Sequence, residues 1–187
     1  MNRMGLALCL GGLACGGTQP SPETTDVPGG TSAPYVAADA DFMRNMIGHH
    51  MQAIEMAALV PDRSTNETVG LLARRIDESQ VFEIGLMRRW LEARNEHTGG
   101  PHDTSGMAGM ASRAQMSALA EADGEAFDRL FLELMIRHHE GALVMLEALQ
   151  AAEGGGLELE LYTLTSHIDA DQRAEISRMR RMLNALQ

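Results

Sequence analysis

The sequence predicts an all-α fold, a four-helix bundle made from two copies of one helical hairpin. Apolar residues recur at three- and four-residue intervals through long segments, as they do on the buried face of a helix. No stretch shows the apolar and polar alternation of a half-buried strand. Two blocks of sequence recur in the same order, which indicates an internal duplication. Two hairpins of this kind would bury their apolar faces against each other and form a bundle.

The duplication is clearest in two pairs of segments. Met46–His50 returns as Met135–His139, and further along each copy Ile76–Gln80 returns as Ile168–Gln172. One repeated pair could arise by chance, but a series repeated in one order indicates a duplicated unit. The predicted bundle spans residues 39–187, with repeat one at 39–98, a connector at 99–123 and repeat two at 124–187.

Turn-forming residues mark the expected helix ends in repeat one. The first helix is expected over Asp39–Val60 and should stop at Pro61, because a helix interior rejects proline. The second should begin at Ser64, which has the capping-box spacing with Glu67, and run to about Glu96.

The connector and repeat two carry similar signals. A short helix opened by Ser112 with Gln115 should bridge the two repeats. Repeat two should begin near Gly124 and be interrupted at Gly154–Gly156, before a last helix runs toward the C-terminus.

The N-terminal segment is typical of an exported bacterial lipoprotein. Arg3 precedes an apolar stretch, Met4–Leu13, which is too short to span a bilayer. Small residues before Cys15 resemble a lipoprotein processing site, so we expect a signal peptide at 1–14, lipidation of Cys15 and a flexible linker at 15–38. The chain would then be anchored by lipid at the periplasmic face of a bacterial membrane. A simple cleaved signal with an incidental cysteine is the alternative.

The overall charge restricts the class of partner. The formal net charge is −11. Nucleic acid is therefore an unexpected partner, because phosphate binding needs a basic surface. The sequence also has 14 Met and 7 His, and their positions carry more information than their number.

Several of these His and Met residues fall on or beside the predicted core stripes, at matching positions of both repeats. The two His-His pairs lie at the margins of the stripe, and an inward Glu and Met follow on the second helix of each repeat. An inward carboxylate requires a partner, because burying an unpaired charge is costly. Folding each hairpin should bring these groups into one zone. The predicted metal-binding residues are Met46, His49, His50, Glu83, Met87, Met135, His138, His139, Glu175 and Met179.

The donor types favour copper, and Cu(I) in particular, because soft thioether and imidazole groups select it. Zinc prefers Cys, His and carboxylate ligands. Di-iron bundles need Glu-x-x-His on helices, a spacing that the sequence lacks. In the connector, His102, Met107 and Met110 could form a second, open copper-binding segment or simply a flexible loop.

The sequence contains no catalytic motif that would indicate an enzyme. The sequence has no recognisable serine elbow and no phosphate-cradling glycine loop before a helix. Two interpretations stay open beside metal binding without catalysis. One is a structural or protein-interaction bundle in which His and Glu pair as a polar core layer, and the other is a redox enzyme that uses a bound metal.

The motif Met-Ile-x-His-His-x-x-Ala-Ile-x-Met at Met46–Met56 resembles the signature of the domain-of-unknown-function-305 family. Phe127–Ala142 resembles its second half, and Gly106–Met110 and the Gln-x-x-Glu-Ile-x-x-Met helices also fit. The resemblance covers about residues 39–187. It implies a ferritin-like four-helix bundle that is exported, with copper bound through His and Met in some members. Carried over by position, the residues implied are Met46, His49, His50, Met135, His138 and His139.

On these grounds we expect an exported copper-binding lipoprotein that acts in copper buffering, transfer or tolerance. Its expected partners are the metal ion, the membrane through the lipid anchor, and either a copper-transfer protein or a second copy of the chain.

Overall fold

The computed structural model describes residues 34–98 and 106–186, which form helices joined by turns and contain no strand. The expected signal peptide, Cys15 and His102 lie outside these residues. The helices are α1 (Ala37–Arg63), α2 (Glu67–Ala93), α3 (Arg113–Glu121), α4 (Gly124–Ala151) and α5 (Leu159–Ala185). The predicted all-α fold is therefore confirmed, with four long helices and a short one between the hairpins. No helix in the described ranges is long and apolar enough to cross a membrane.

Two helical hairpins build the bundle. Helix α1 packs along α2, and α4 packs along α5. The hairpins meet mainly through α1 and α4, whereas α2 and α5 contact each other far less. Residues near the middle of α1 and α4 therefore lie at the centre of the bundle.

The predicted boundary between α1 and α2 is wrong in detail. Helix α1 continues through Pro61 to Arg63. Proline in the last turn removes one backbone donor, but the Ser64 N–H donates to the Val60 carbonyl at 2.9 Å and closes that turn. Proline therefore ends the helix within one turn without stopping it at once.

The expected Ser64–Glu67 capping box is also wrong, because Asn66 caps α2. Its side-chain oxygen accepts hydrogen bonds from the N–H groups of Thr68 and Val69 at 3.0 and 3.4 Å. Asparagine is as good an N-cap as serine and lies closer to the first helical residue. Helix α2 ends at Ala93, a few residues before the expected end.

The predicted start of the connector helix is confirmed. The Ser112 hydroxyl accepts from the Gln115 N–H at 3.3 Å, and the Gln115 side chain accepts from the Ser112 N–H at 2.9 Å. This is the reciprocal capping box that the spacing predicts.

The start of α1 is held against the turn before α5. The buried Asp39 carboxylate accepts from the Val36 N–H at 2.9 Å and from the Gly156 N–H at 2.8 Å. Tyr35 packs edge-on against Trp90, with ring centroids 5.3 Å apart. The first described residues are thus fixed to the bundle.

The apolar core consists of two clusters, each built from all four long helices. One cluster contains the second half of α1 and the first half of α4, and the other contains the opposite halves. Between them every long helix contributes polar residues, and this set is called the polar layer. Its members are His49, His50, Gln80, Glu83, His138, His139, Gln172 and Glu175.

Candidate metal centre

The four histidines of the polar layer are buried, which corrects the expectation that they lie at the margins of the core stripe. His49, His50 and His139 are 0% exposed and His138 is 1% exposed. His49 and His138 face each other where α1 meets α4, while His50 faces α2 and His139 faces α5 within their own hairpins. All four rings therefore lie inside the bundle.

We call His50 and His139 the outer histidines of the layer, and His49 and His138 the inner ones. Each outer histidine pairs with a glutamate of its own repeat. His50 Nε2 contacts Glu83 Oε2 at 2.6 Å, and His139 Nε2 contacts Glu175 Oε2 at 2.7 Å. The inward carboxylates thus have the partners that burial requires. A carboxylate behind a histidine fixes the orientation of its ring, as in many metal centres.

The inner histidines stack on each other at the α1–α4 contact. The ring centroids of His49 and His138 are 3.8 Å apart, and their planes are inclined by 33°. His49 Nε2 lies 3.1 Å from the Ala108 carbonyl oxygen, and His138 Nε2 lies 2.9 Å from the His49 carbonyl oxygen. A carbonyl oxygen only accepts, so Nε2 is the protonated nitrogen of both rings.

The second ring nitrogen of each histidine, Nδ1, bears on whether the layer can bind a metal. Nδ1 of all four histidines is buried and has no hydrogen-bond partner, and the same holds for the side-chain oxygens of Gln80 and Gln172. In a neutral imidazole that donates through Nε2, Nδ1 carries a free lone pair. Most buried polar atoms are paired, so unpaired ones call for an ion, a water or a functional explanation. Here Nδ1 of His49 and His138 carries such a lone pair, and Nδ1 of His50 and His139 are two further buried imidazole nitrogens without a partner. Imidazole nitrogens of this kind coordinate metals.

The electrostatics keep the inner rings neutral. Burial, with repulsion from His50 and His139, lowers the pKa of His49 from 6.5 to about 3, against the opposing effect of the Ala108 carbonyl. Burial and the neighbouring histidines likewise hold the pKa of His138 well below its usual value. Imidazole must be neutral to bind a metal, so both rings are in the ligating form at physiological pH.

The predicted methionines lie beside the polar layer. Met46, Met87, Met135 and Met179 are all fully buried. Met46 and Met87 belong to one apolar cluster, and Met135 and Met179 belong to the other. Each repeat therefore places its thioethers on its own side of the layer. Met46 and Met135 precede the histidines by three and four residues, a spacing that puts side chains about 5–6 Å apart at Cβ.

Within residues 34–98 and 106–186, no three His, Cys, Asp or Glu side chains are grouped so that they could hold one metal ion. Two surface cavities, of about 750 Å³ at the α1–α2 turn and about 600 Å³ between α2 and α5, do not reach the four histidines of the layer.

The connector contacts the layer through groups that sequence reasoning missed. Besides the Ala108 carbonyl at His49, the Gln52 side chain accepts from the Ala111 N–H at 2.7 Å and donates to the Ala111 carbonyl at 2.9 Å. Met107 and Met110, for which a second copper-binding segment and a flexible loop were both open, are half-buried. Gly109 was the available signal that the backbone packs closely here, because a Cβ at this position would meet the α4 backbone.

The chain is similar in sequence and in structure to proteins of one family. The model of the family described as "Domain of unknown function (DUF305)" matches residues 39–183. A DUF305 protein of Streptomyces coelicolor, described as a candidate secreted protein, is 32% identical with a TM-score of 0.72, over 80% of this chain and 93% of that one. A DUF305 fragment from Deinococcus radiodurans is 34% identical with a TM-score of 0.72, over 81% of this chain and 99% of that one.

A third similar structure is CopM with bound Cu(II). It is 30% identical with a TM-score of 0.66, over 80% of this chain and 97% of that chain. CopM is also known with bound Cu(I) and with bound silver. None of the curated proteins matches this chain.

Proposed function

The chain belongs to the DUF305 family, and from this premise we propose that it binds copper in the polar layer and serves copper buffering, transfer or tolerance. The observation that carries the proposal is the set of four buried imidazoles whose Nδ1 atoms have no partner. CopM, a similar protein of known structure, binds Cu(I), Cu(II) and silver. Silver and Cu(I) are soft ions, which matches a mixed thioether and imidazole donor set.

The proposed ligands are distributed over two related halves of the layer. In the first half the Nδ1 atoms of His49 and His50 would combine with the thioethers of Met46 and Met87. In the second half those of His138 and His139 would combine with Met135 and Met179. Glu83 and Glu175 would act from behind the rings, because their bonds to Nε2 leave Nδ1 as the free nitrogen.

Cu(I) is the favoured ion. Neutral imidazole and thioether donors stabilise a soft monovalent cation, and they add no negative charge to the middle of an apolar core. Zinc would gain little from methionine sulfur. The proposed role is carriage of the ion and not catalysis.

The proposed setting is outside the cytoplasm. The N-terminal pattern of a signal peptide with a lipidated Cys15 supports export and anchoring, and one similar DUF305 protein is described as a candidate secreted protein. A copper-transfer protein or a second copy of the chain would be the receiving partner.

A second candidate function is that of a structural or interaction bundle. The observation in its favour is that each carboxylate of the layer already has a histidine partner, in the buried His50–Glu83 pair and the partly buried His139–Glu175 pair. Such layers specify which helices pack and in which alignment. This alternative leaves the unpaired Nδ1 atoms without a role.

Competition with a chromophoric Cu(I) chelator tests the proposal. We expect tighter binding of Cu(I) than of Zn(II), and loss of high-affinity binding when His49 and His138 are both changed to Gln. His167→Gln is the matched control, because His167 is exposed and lies outside the layer. Equal Cu(I) affinity in the double variant and the parent would remove the layer as the binding site. Oxidase assays of the copper-loaded protein address the redox-enzyme alternative.

A further inference from the structure

The connector crosses the polar layer as a short ordered segment. We call Met107–Ala111 the strap. Its Ala108 carbonyl oxygen lies 3.1 Å from His49 Nε2, and its far end is held to α1 by the two hydrogen bonds between Gln52 and Ala111. Arg137 of α4 contacts the Met110 carbonyl at 3.3 Å. The strap is therefore bound to both α1 and α4, the two helices that carry the histidines.

The strap lies directly on the backbone of α4. A Cβ atom at Gly141 would lie 2.5 Å from the Ala108 carbonyl carbon and 2.7 Å from Gly109 Cα. Gly109 itself has a φ of +77° and would place a Cβ 2.8 Å from Gly141 Cα. Real Cβ atoms do not approach backbone this closely. Glycine at both positions is what allows the Ala108 carbonyl to reach His49.

The two repeats differ where they face the strap. Gln52 and Gly141 occupy the same repeat position, three residues after His49 and His138 respectively. At that position repeat one carries the side chain that grips Ala111, and repeat two carries no side chain and leaves room. One residue before His49 and His138 the difference is reversed: repeat one carries Gly48, and repeat two carries Arg137, whose side chain contacts the strap. Both differences fit a strap that crosses from one repeat to the other.

The inner histidines consequently have different supports. His49 donates to the strap, whereas His138 donates to the backbone of α1 at His49. The support of His138 is part of a helix and is fixed by the fold. The support of His49 is a loop carbonyl that depends on Gly109, Gly141 and Gln52.

We propose that the strap is a positioning element for the metal centre. By holding the Ala108 carbonyl at His49 Nε2, it fixes the proton on that nitrogen and presents Nδ1 of His49 as the free ligand. This rests on the proposed copper function. The strap thus supports a ligand of the first half of the layer directly, whereas in the second half the hydrogen bond of His138 goes to the α1 backbone.

Gly141→Ala tests the proposal, with Gly70→Ala as the control. Both replace a helical glycine, but a Cβ at Gly70 would meet only the end of the Arg74 side chain, at 3.7 Å. In Gly141→Ala the strap must move off α4. We expect Cu(I) affinity to fall about 10–100-fold, the usual effect of removing a partner behind a ligating histidine, and Gly70→Ala to bind like the parent.

Long-range ¹H–¹⁵N NMR of the apo proteins supplies a readout that loss of stability alone would not change. The parent should show His49 protonated at Nε2, and Gly141→Ala should show a mixture of the two tautomers with His138 unaltered. Gln52→Leu, which removes both hydrogen bonds to Ala111 and leaves the glycine contact intact, should shift His49 in the same direction and serves if Gly141→Ala does not fold.

An unchanged His49 tautomer in the variant that folds would overturn the positioning role, and so would unchanged Cu(I) affinity in a variant whose parent binds Cu(I). If the parent fails to bind Cu(I) but the tautomer still shifts, the proposed function fails while the control of His49 by the strap stands.

Discussion

His49 and His138 stack at the centre of the bundle with ring centroids 3.8 Å apart. His50 lies 6.4 Å from His49, and His139 lies 6.1 Å from His138, measured between ring centroids. The four rings form a row that runs from Glu83 to Glu175. Two imidazolium ions could not occupy the central positions together, because like charges repel strongly at this distance in a buried site. At most one of the inner rings could therefore be charged, and the lowered pKa values of His49 and His138 leave both neutral at pH 7.

The acid stability of the apo protein should reflect these rings. The pKa of His49 is lowered from 6.5 to about 3, so between these values the unfolded chain binds a proton that the folded chain does not. The contribution of His49 to the free energy of unfolding is fully present above about pH 6.5. It decreases as the pH falls, by about 1.4 kcal/mol per pH unit. His138 contributes in the same direction.

Denaturant titrations from pH 7 to pH 4 measure this effect. The His49→Gln/His138→Gln variant should have a flatter dependence of the free energy of unfolding on pH. An identical slope in parent and variant would show that the inner rings are not the groups responsible. A histidine with an ordinary pKa would lose its metal near pH 6, whereas His49 should keep its ligating form to lower pH.

Met46 and Met135 should contribute strongly to Cu(I) affinity and little to the stability of the fold. Met46→Leu/Met135→Leu keeps side-chain volume, so we expect a loss of less than about 1.5 kcal/mol in stability. Cu(I) affinity should fall at least about tenfold relative to the parent, because a soft donor is lost from each half. Met56→Leu is the control, since Met56 is equally buried but lies seven residues from His49. Similar affinity losses in both variants would argue against a ligand role for Met46 and Met135.

The His50–Glu83 pair should respond asymmetrically to truncation. Glu83→Ala leaves His50 Nε2 without its hydrogen-bond partner, at a cost of about 1–3 kcal/mol. His50→Ala leaves a carboxylate in a 7% exposed site, at a cost of about 3–5 kcal/mol. Thermal or urea unfolding of the apo variants at pH 7 gives the comparison. Greater destabilisation by Glu83→Ala would show that the carboxylate is not the group whose burial needs compensation.

Anchoring makes a separate prediction about Cys15, which lies outside the described residues. Cys15→Ser should release the protein from membranes, because stable attachment needs several acyl chains and the linker composition offers no other anchor. Fractionation of cells at high salt measures this. Retention of the variant in the membrane fraction would contradict lipid anchoring through this residue.

The duplication and the helical periodicity were enough to predict the bundle. The same stripes required a partner for each inward glutamate, because a buried carboxylate needs one, but they did not identify it. Pairing with histidine was expected only under the alternative of a structural polar layer. The burial of the histidines was not predictable from one helix at a time. For His49 and His138 it arises where α1 and α4 meet, a contact between segments far apart in the sequence. For His50 and His139 it arises within each hairpin, against α2 and α5.

The strap illustrates what sequence reasoning could not supply. Its contact with His49 is made by a backbone carbonyl, which any residue type at position 108 would present. Gly109 and Gly141 allow the close backbone approach, but a glycine in a sequence does not identify the group that will pack against it. The difference between Gln52 and Gly141 within the repeat becomes meaningful only once both face the same segment.

The division of the core into two apolar halves also constrains the alignment of the helices. If α1 alone moved by one turn along α4, about 5.4 Å, the His49 ring would no longer stack on His138 and would face apolar side chains. Glu83 of α2 would also lose its partner His50, whereas the His139–Glu175 pair between α4 and α5 would stay intact. Such shifted packings would bury unpaired polar groups, whereas an all-apolar core of similar shape would tolerate them. The polar layer thus favours one position of α1 along α4 over positions shifted by a helical turn, with or without a bound ion.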